Sequence, residues 1–255
     1  VLILMPLFWM FNSSFKAKVE ILAYPPTFFA KAASMVNFEK LARRIPVLAY
    51  VKNSVIYALL TAIPGVFINS LAGYAFARLK FKGRNILFII PLATMMIPFQ
   101  VVMIPLYLVV HKLGMYDTYA GLILPKMANA ISIFMMRSAF SGLPVELEEA
   151  AAIDGASQPR IFFTIVLPLI KGIAVTVAIL NVMSLWNDYL LPSLTINRSG
   201  TQTLPLRTYL FFGAYTKKWN LGSAALVMAI IPVIIFYVLC QKHIIKGVTE
   251  GAVKG

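Results

Sequence analysis

Long apolar runs, separated by short polar ones, recur from one end of the chain to the other. Five of them, residues 53–76, 85–110, 119–140, 172–191 and 222–241, are long enough to cross a bilayer. A hydrocarbon core about 30 Å thick needs roughly 20 apolar residues at about 1.5 Å of helical rise each. An opening run, Val1 to Phe11, reaches only about half that depth and has no basic flank or cleavage site of a signal peptide. We read it as the outer half of a first span whose beginning precedes this numbering. The expectation is therefore six transmembrane helices.

Helices, not strands, follow from hydrogen bonding. In hydrocarbon every backbone N–H and C=O must pair within its own segment or in a closed barrel. Barrel strands alternate in polarity over about ten residues, and these runs do not. The expected fold is all-α: a polytopic membrane helix bundle, one transmembrane domain over residues 1–255 with a tail at 242–255. Pro64, Pro91, Pro98, Pro105 and Pro232 lie within spans, where each removes a donor and can kink its helix. They serve either a protein that opens and closes or simply a membrane helix that tolerates them.

Composition agrees. Of the 255 residues, 60% are apolar and 13% charged, against about 45–50% and about 25% in soluble domains. The net charge of +14 suits flanks that meet lipid head groups. Nucleic acid is not an expected partner, because no basic run in a polar segment carries interleaved aromatics. The single cysteine, Cys240, excludes an internal disulfide, and His111 and His243 are too far apart in sequence for metal-ligand spacing. No convergent nucleophile and base, and no Gly-rich phosphate loop, point to an enzyme.

Orientation rests on one loop. Arg78, Lys80, Lys82 and Arg84 crowd a short connection between spans, where the positive-inside rule acts most strongly. Placing that loop in the cytoplasm also places 141–171 and the C-terminal tail there, and 12–52 and 192–221 outside. Under this assignment thirteen of the 23 cations, including Lys217, fall outside; long external segments translocate largely regardless of charge. Within the outer segment, Phe38, Leu41, Ile45 and Leu48 recur at helical spacing. That suits an amphipathic helix over 38–51, lying on the membrane surface or packed on the outer ends of the spans.

Chemistry concentrates in 141–171. Pro144 suits a first helical position, Glu146, Glu148 and Glu149 favour the positive end of a helix dipole, and Ala150, Ala151 and Ala152 propagate a thin helix. Gly155, after Asp154, can take the left-handed conformation that ends it, and Ser157 or Gln158 with Pro159 can open another. The segment reads as a short helix, a sharp turn and a helix entering the membrane. It is either a solvated connector or a knob for a groove on a soluble partner, with Glu149 supplying one directed contact.

A second polar set lies in the fifth span. Ser184, Asn187 and Asp188 follow Asn181 at i+3, i+6 and i+7, one broad face. Either this face lines a solute path, with Trp186 or Tyr189 stacking on a sugar ring, or it ties helices together and anchors at the interface. Asn69 and Gln100 are weaker candidates.

Glu149-Ala-Ala-Ala-Ile-Asp-Gly-Ala156, then Phe162 or Phe163 and Leu167-Pro168-Leu169, resembles the EAA loop of permeases of ABC importers. Asn53-Ser54, Tyr74-Ala-Phe-Ala-Arg78, Phe81-Lys82-Gly83-Arg84, Trp186-Asn-Asp-Tyr-Leu-Leu-Pro192 and the ending Gly247 to Gly255 are similar to the carbohydrate type, on the side of the smaller maltose-permease subunit. The family's proline after the Leu-Pro pair is replaced by Lys171-Gly172, so the bend into the next span is expected to differ. The resemblance implies a coupling helix between the fourth and fifth spans, with Glu146, Glu149, Ala150, Ala151, Asp154, Gly155 and Ala156 docking an ATPase. It implies a prokaryotic cell membrane, a second homologous permease, a cytoplasmic ATPase dimer carrying ATP and magnesium, an external solute-binding protein, lipid, and a sugar as solute. No cofactor or metal is expected on this chain. The alternatives are an ABC permease for another solute and an ion-coupled secondary transporter, which usually buries several acids in mid-membrane.

Overall fold

A computed structural model describes residues 2–214 and 218–252. Val1, Lys217 and the last three residues of the tail lie outside the described residues. Among those described, every regular element is a helix. In chain order they are α1 (Met5–Ser14), α2 (Lys18–Ile21), α3 (Val36–Arg44), α4 (Val47–Arg78), α5 (Arg84–Thr94), α6 (Phe99–Lys112), α7 (Tyr119–Met127) and α8 (Ala130–Ser141). There follow α9 (Glu146–Ile153), α10 (Gln158–Ile161), one π-helical turn (Phe162–Val166), α11 (Leu167–Leu169), α12 (Lys171–Trp186), α13 (Leu190–Thr195), α14 (Leu204–Ala214) and α15 (Trp219–Ala252).

Two of these, α4 and α15, are long and apolar enough to cross a membrane alone, and the number rises to five if each of three bent pairs is one span. Two of the bends fall inside runs expected as single spans. Residues 85–110 break into α5 and α6 at 102°. Pro98 caps α6 with an extended backbone and has no N–H to continue a helix. Residues 119–140 break into α7 and α8 at 41°, where Asn129 leaves the helix and its side chain accepts from Ser132 N at 3.0 Å. A 78° bend separates the α10–α11 segment from α12, at the place where Lys171-Gly172 departs from the family pattern. The fifth apolar run also ends early. Helix α12 stops at Trp186, so Asn187 and Asp188 lie past its end, and the shared helical face stops at Ser184.

The chain forms two compact units, Val1–Ile56 with Trp186–Val238 and Tyr57–Leu185 with Leu239–Gly255. The core of the first gathers Leu41, Ile45, Val47, Tyr50, Trp186, Leu204, Phe211, Leu221 and Ala225. Helix α3 joins it through Leu41, and the extended residue after it through Ile45, but the expected helix over 38–51 is interrupted, because Pro46 separates α3 from α4 and Leu48 turns outward. Asn53 and Ser54, about two turns into α4, hold the 200–204 segment. Asn53 Nδ2 donates to Gly200 O at 2.8 Å and to Gln202 O at 2.9 Å, and Leu204 N donates to Ser54 Oγ at 2.8 Å.

The second unit packs on a thin stripe of α4. Gly65, Asn69 and Gly73 lie on successive turns, one above the other. A Cβ at Gly65 would come within 2.9 Å of Met127 O, and one at Gly73 within 2.6 Å of Met136 Cβ and 2.8 Å of Arg137 N. The missing side chains thus let α7 and α8 approach the α4 backbone, the usual role of small residues between membrane helices. Between them Asn69, fully buried, mends the break: its Nδ2 donates to Met127 O at 3.0 Å and its Oδ1 accepts from Asn129 N at 3.1 Å.

Candidate functional site

The 141–171 segment folds as a short helix, a sharp turn and a second helical segment. Val145 O accepts from Glu148 N at 2.9 Å and Glu149 N at 3.1 Å, opening α9. Helix α9 begins at Glu146, so Pro144 precedes the cap instead of occupying the first helical position. Its first turn carries Glu146, Glu148 and Glu149, as the helix dipole favours. At the other end Gly155 N donates to Ala152 O at 3.0 Å and Ala156 N to Ala151 O at 2.9 Å. With Gly155 at φ +81°, this is the Schellman pattern, which needs a left-handed residue after the cap. Ser157, extended, leads into α10, with Pro159 in its first turn.

One side of α9 is free. Glu146, Glu149, Ala150, Asp154 and Gly155 are exposed, and Ile153 is 87% exposed. Ala151 and Ala156 turn the other way and pack against the core of Tyr74, Met136, Phe140, Ile161, Phe162, Val166, Ile170 and Val177. Of the seven residues singled out here from sequence, five therefore share the open side and two anchor the segment.

Glu148 was not among them, and it forms an ion pair with the last residue of α4. Its Oε1 lies 2.7 Å from Arg78 Nε, with both side chains nearly nine-tenths buried. The Tyr74 hydroxyl donates to Glu148 Oε2 at 2.9 Å and lies 3.0 Å from Gln158 Oε1. Arg78 Nη2 donates to Leu143 O at 2.5 Å. The available sequence signals were that Glu148 shares the inward face of Ala151 at i+3, and that Tyr74 and Arg78 stand four apart at the end of α4. The same contacts put the basic loop after Arg78 and the acidic helix α9 at one end of their unit.

The second set is placed differently. In the Tyr57–Leu185 unit, Asn181 pairs with Ser132, Nδ2 to Oγ at 3.1 Å, tying α12 to α8; Ser184 is exposed. In the other unit Trp186 is only 9% exposed and fills the core beside Tyr50 and Leu41. Asp188 Oδ1 accepts from Leu191 N at 3.3 Å, helping to start α13. Asn187 and Tyr189 are exposed, and the Tyr189 ring lies 5.0 Å from that of Tyr209. Among the described residues no three His, Cys, Asp or Glu side chains gather as metal ligands.

Residues 65–250 match the family model described as binding-protein-dependent transport system inner membrane component. The chain is 38% identical to the probable starch degradation products transport system permease protein AmyC of Thermoanaerobacterium thermosulfurigenes, over 98% of this chain and 91% of that one. It is 34% identical to the trehalose/maltose transport system permease protein MalG of Thermococcus litoralis, over 100% of this chain and 93% of the relative. The arabinooligosaccharides transport system permease protein AraQ of Bacillus subtilis is 36% identical over 80% of this chain and 72% of its own length. Among solved structures, a chain of a bacterial ABC transporter involved in the import of the acidic polysaccharide alginate superposes with a TM-score of 0.81 at 25% identity, covering 94% of this chain and 90% of that chain.

Proposed function

Because the chain belongs to the family of binding-protein-dependent transport system inner membrane components, and is thus a permease subunit of an ABC importer and not itself the ATPase, we propose that it forms half of a path for a sugar or oligosaccharide. The names of its relatives, transporters of starch degradation products, trehalose or maltose, and arabinooligosaccharides, support that solute class. A second homologous permease supplies the other half of the path, and an external solute-binding protein delivers the sugar. Six membrane segments serve one permease domain: α1, α4, the three bent pairs and α15.

The observation that carries the coupling role is the open side of α9. It presents Glu146, Glu149, Asp154 and the apolar Ile153 outward, while Ala151 and Ala156 fix the helix to the bundle. We assign that side to a groove of a cytoplasmic ATPase dimer, which holds ATP and magnesium. The loop after Arg78, residues 141–171 and the C-terminus then face the cytoplasm. The dense cations of that loop support this direction, and the Arg78 to Glu148 pair supports a common side for loop and helix. Asn187, Asp188 and Tyr189 are the candidates for solute contact at the outer end of the path; Asn181 and Trp186 serve the fold.

The test is uptake by the assembled transporter in proteoliposomes, offered maltooligosaccharides, arabinooligosaccharides, trehalose, amino acids and short peptides. ATP-dependent uptake confined to saccharides is expected. Uptake confined to amino acids or peptides contradicts the solute class, and uptake without ATP contradicts the coupling.

A further inference from the structure

We infer that Arg78 and Glu148, steadied by Tyr74, are positioning residues that make α4 the strut carrying movement of α9 into the membrane. The inference rests on the reading of α9 as the ATPase-docking helix and adds where the force goes next.

Helix α9 has two covalent joints to the bundle, and both contain glycine. Gly142 lies in the connection from α8, and Gly155, at φ +81° with nothing within 4 Å of a Cβ placed on it, lies in the turn to α10. Such turns bend under load. A push on the open side of α9 would be absorbed there unless another link held the helix.

The clasp from α4 is such a link, and it holds the segment at three places. Arg78, the last residue of α4, reaches Leu143 O just before α9 and the Glu148 carboxylate within it. Tyr74, one turn back, reaches the other oxygen of that carboxylate and Gln158, the first residue of α10. Both oxygens of Glu148 are engaged, so its side chain cannot swing without breaking a charge-assisted contact. The Tyr74 ring is itself wedged, 5.5 Å from the Phe140 ring and 5.2 Å from the Phe162 ring. A segment held at three points on one helix moves with that helix as a body.

The choice of an ion pair is informative. Desolvating two charges offsets much of their attraction, so a buried pair stabilises little more than apolar residues of the same volume. What it supplies is direction, because a carboxylate between a guanidinium and a hydroxyl has one low-energy placement. Neighbouring glutamates thus divide the work: Glu149 faces the partner, and Glu148 faces the strut.

The experiment uses the complete transporter, with its second permease, ATPase and solute-binding protein, in proteoliposomes, reading ATP hydrolysis and saccharide uptake together. For Arg78→Gln and Glu148→Gln we expect the ATPase to co-purify as with wild type and hydrolysis to stay within about twofold, while uptake per ATP falls about tenfold or more, a typical size for lost coupling between sites. Tyr74→Phe, which deletes only a hydroxyl and keeps the ring packing, should lower the same ratio by about threefold. Combining Arg78→Glu with Glu148→Arg should recover most of the ratio lost in the single variants. Unchanged uptake per ATP in the single variants overturns the inference. So does a parallel loss of co-purification, hydrolysis and uptake, which marks a merely structural contact. Absence of the ATPase from the wild-type preparation strikes instead at the docking reading.

Discussion

Asn69→Leu would test how the broken span is held together. The wild-type side chain is fully buried and satisfies two backbone groups, Met127 O at 3.0 Å and Asn129 N at 3.1 Å. Leucine has similar volume but no polar atom. Each orphaned buried group costs about 1–3 kcal/mol, which gives about 2–6 kcal/mol for the pair. The added apolar surface returns little, since lipid tails are as apolar as leucine. Hydrogen bonds between membrane helices average only about 0.6 kcal/mol, because the unfolded chain in lipid also finds partners, so we take about 2–4 kcal/mol. At about 2–4 °C per kcal/mol for a chain of this size, the melting temperature should fall by roughly 4–16 °C. Tryptophan fluorescence of the detergent-solubilised protein during heating measures it, with Leu71→Ala, on the partly exposed side of the same helix, as control. A variant melting within about 2 °C of wild type would refute the claim that Asn69 mends the break.

Other substitutions should separate packing from function. Gly73→Ala forces a Cβ to 2.6 Å from Met136 Cβ and 2.8 Å from a backbone nitrogen; overpacking of this kind costs about 1–3 kcal/mol, read by the same melting assay, whereas Gly200→Ala, with open space around it, should melt as wild type. Trp186→Ala should lose about 3–5 kcal/mol of stability, while Asn187→Ala and Tyr189→Ala melt normally and alter the KM for uptake. Glu149→Lys should leave the permease folded and in the membrane but cost about 2–5 kcal/mol of ATPase binding, seen as ATPase lost on co-purification and as abolished uptake.

The family and the helix, turn and helix of residues 141–171 were readable in the sequence because both are local. The Glu149 to Ala156 run carries its own cap, propagation and left-handed stop, and Gly155 takes the conformation its position called for. Helix rotation was not readable, since lipid and bundle interior are equally apolar and the pattern carries no inward mark. That is why Glu148 read only as a helix-start acid like Glu149: the residue that selects it, Arg78, sits on another helix. The breaks were half visible. Pro98 announced a kink, but the 102° turn depends on how the backbone leaves the helix over Met95–Ile97. Asn129 stood as a polar residue within an apolar run, yet only its pairing with Asn69 shows that the span is interrupted there. Trp186 near a span end read equally as a stacking platform or a core side chain, and Tyr50 and Leu41 around it are distant in sequence.

Site-specific cross-linking at Ile153 addresses the central claim most directly. The residue is 87% exposed on the open side of α9, and replacing Cys240 with serine leaves an introduced cysteine as the chain's single thiol. In the assembled transporter, Ile153→Cys should form an adduct with a cysteine-bearing ATPase subunit and should resist a membrane-impermeant maleimide applied from outside the cell. Labelling from the external medium, or no adduct in an assembly that hydrolyses ATP, would contradict the account.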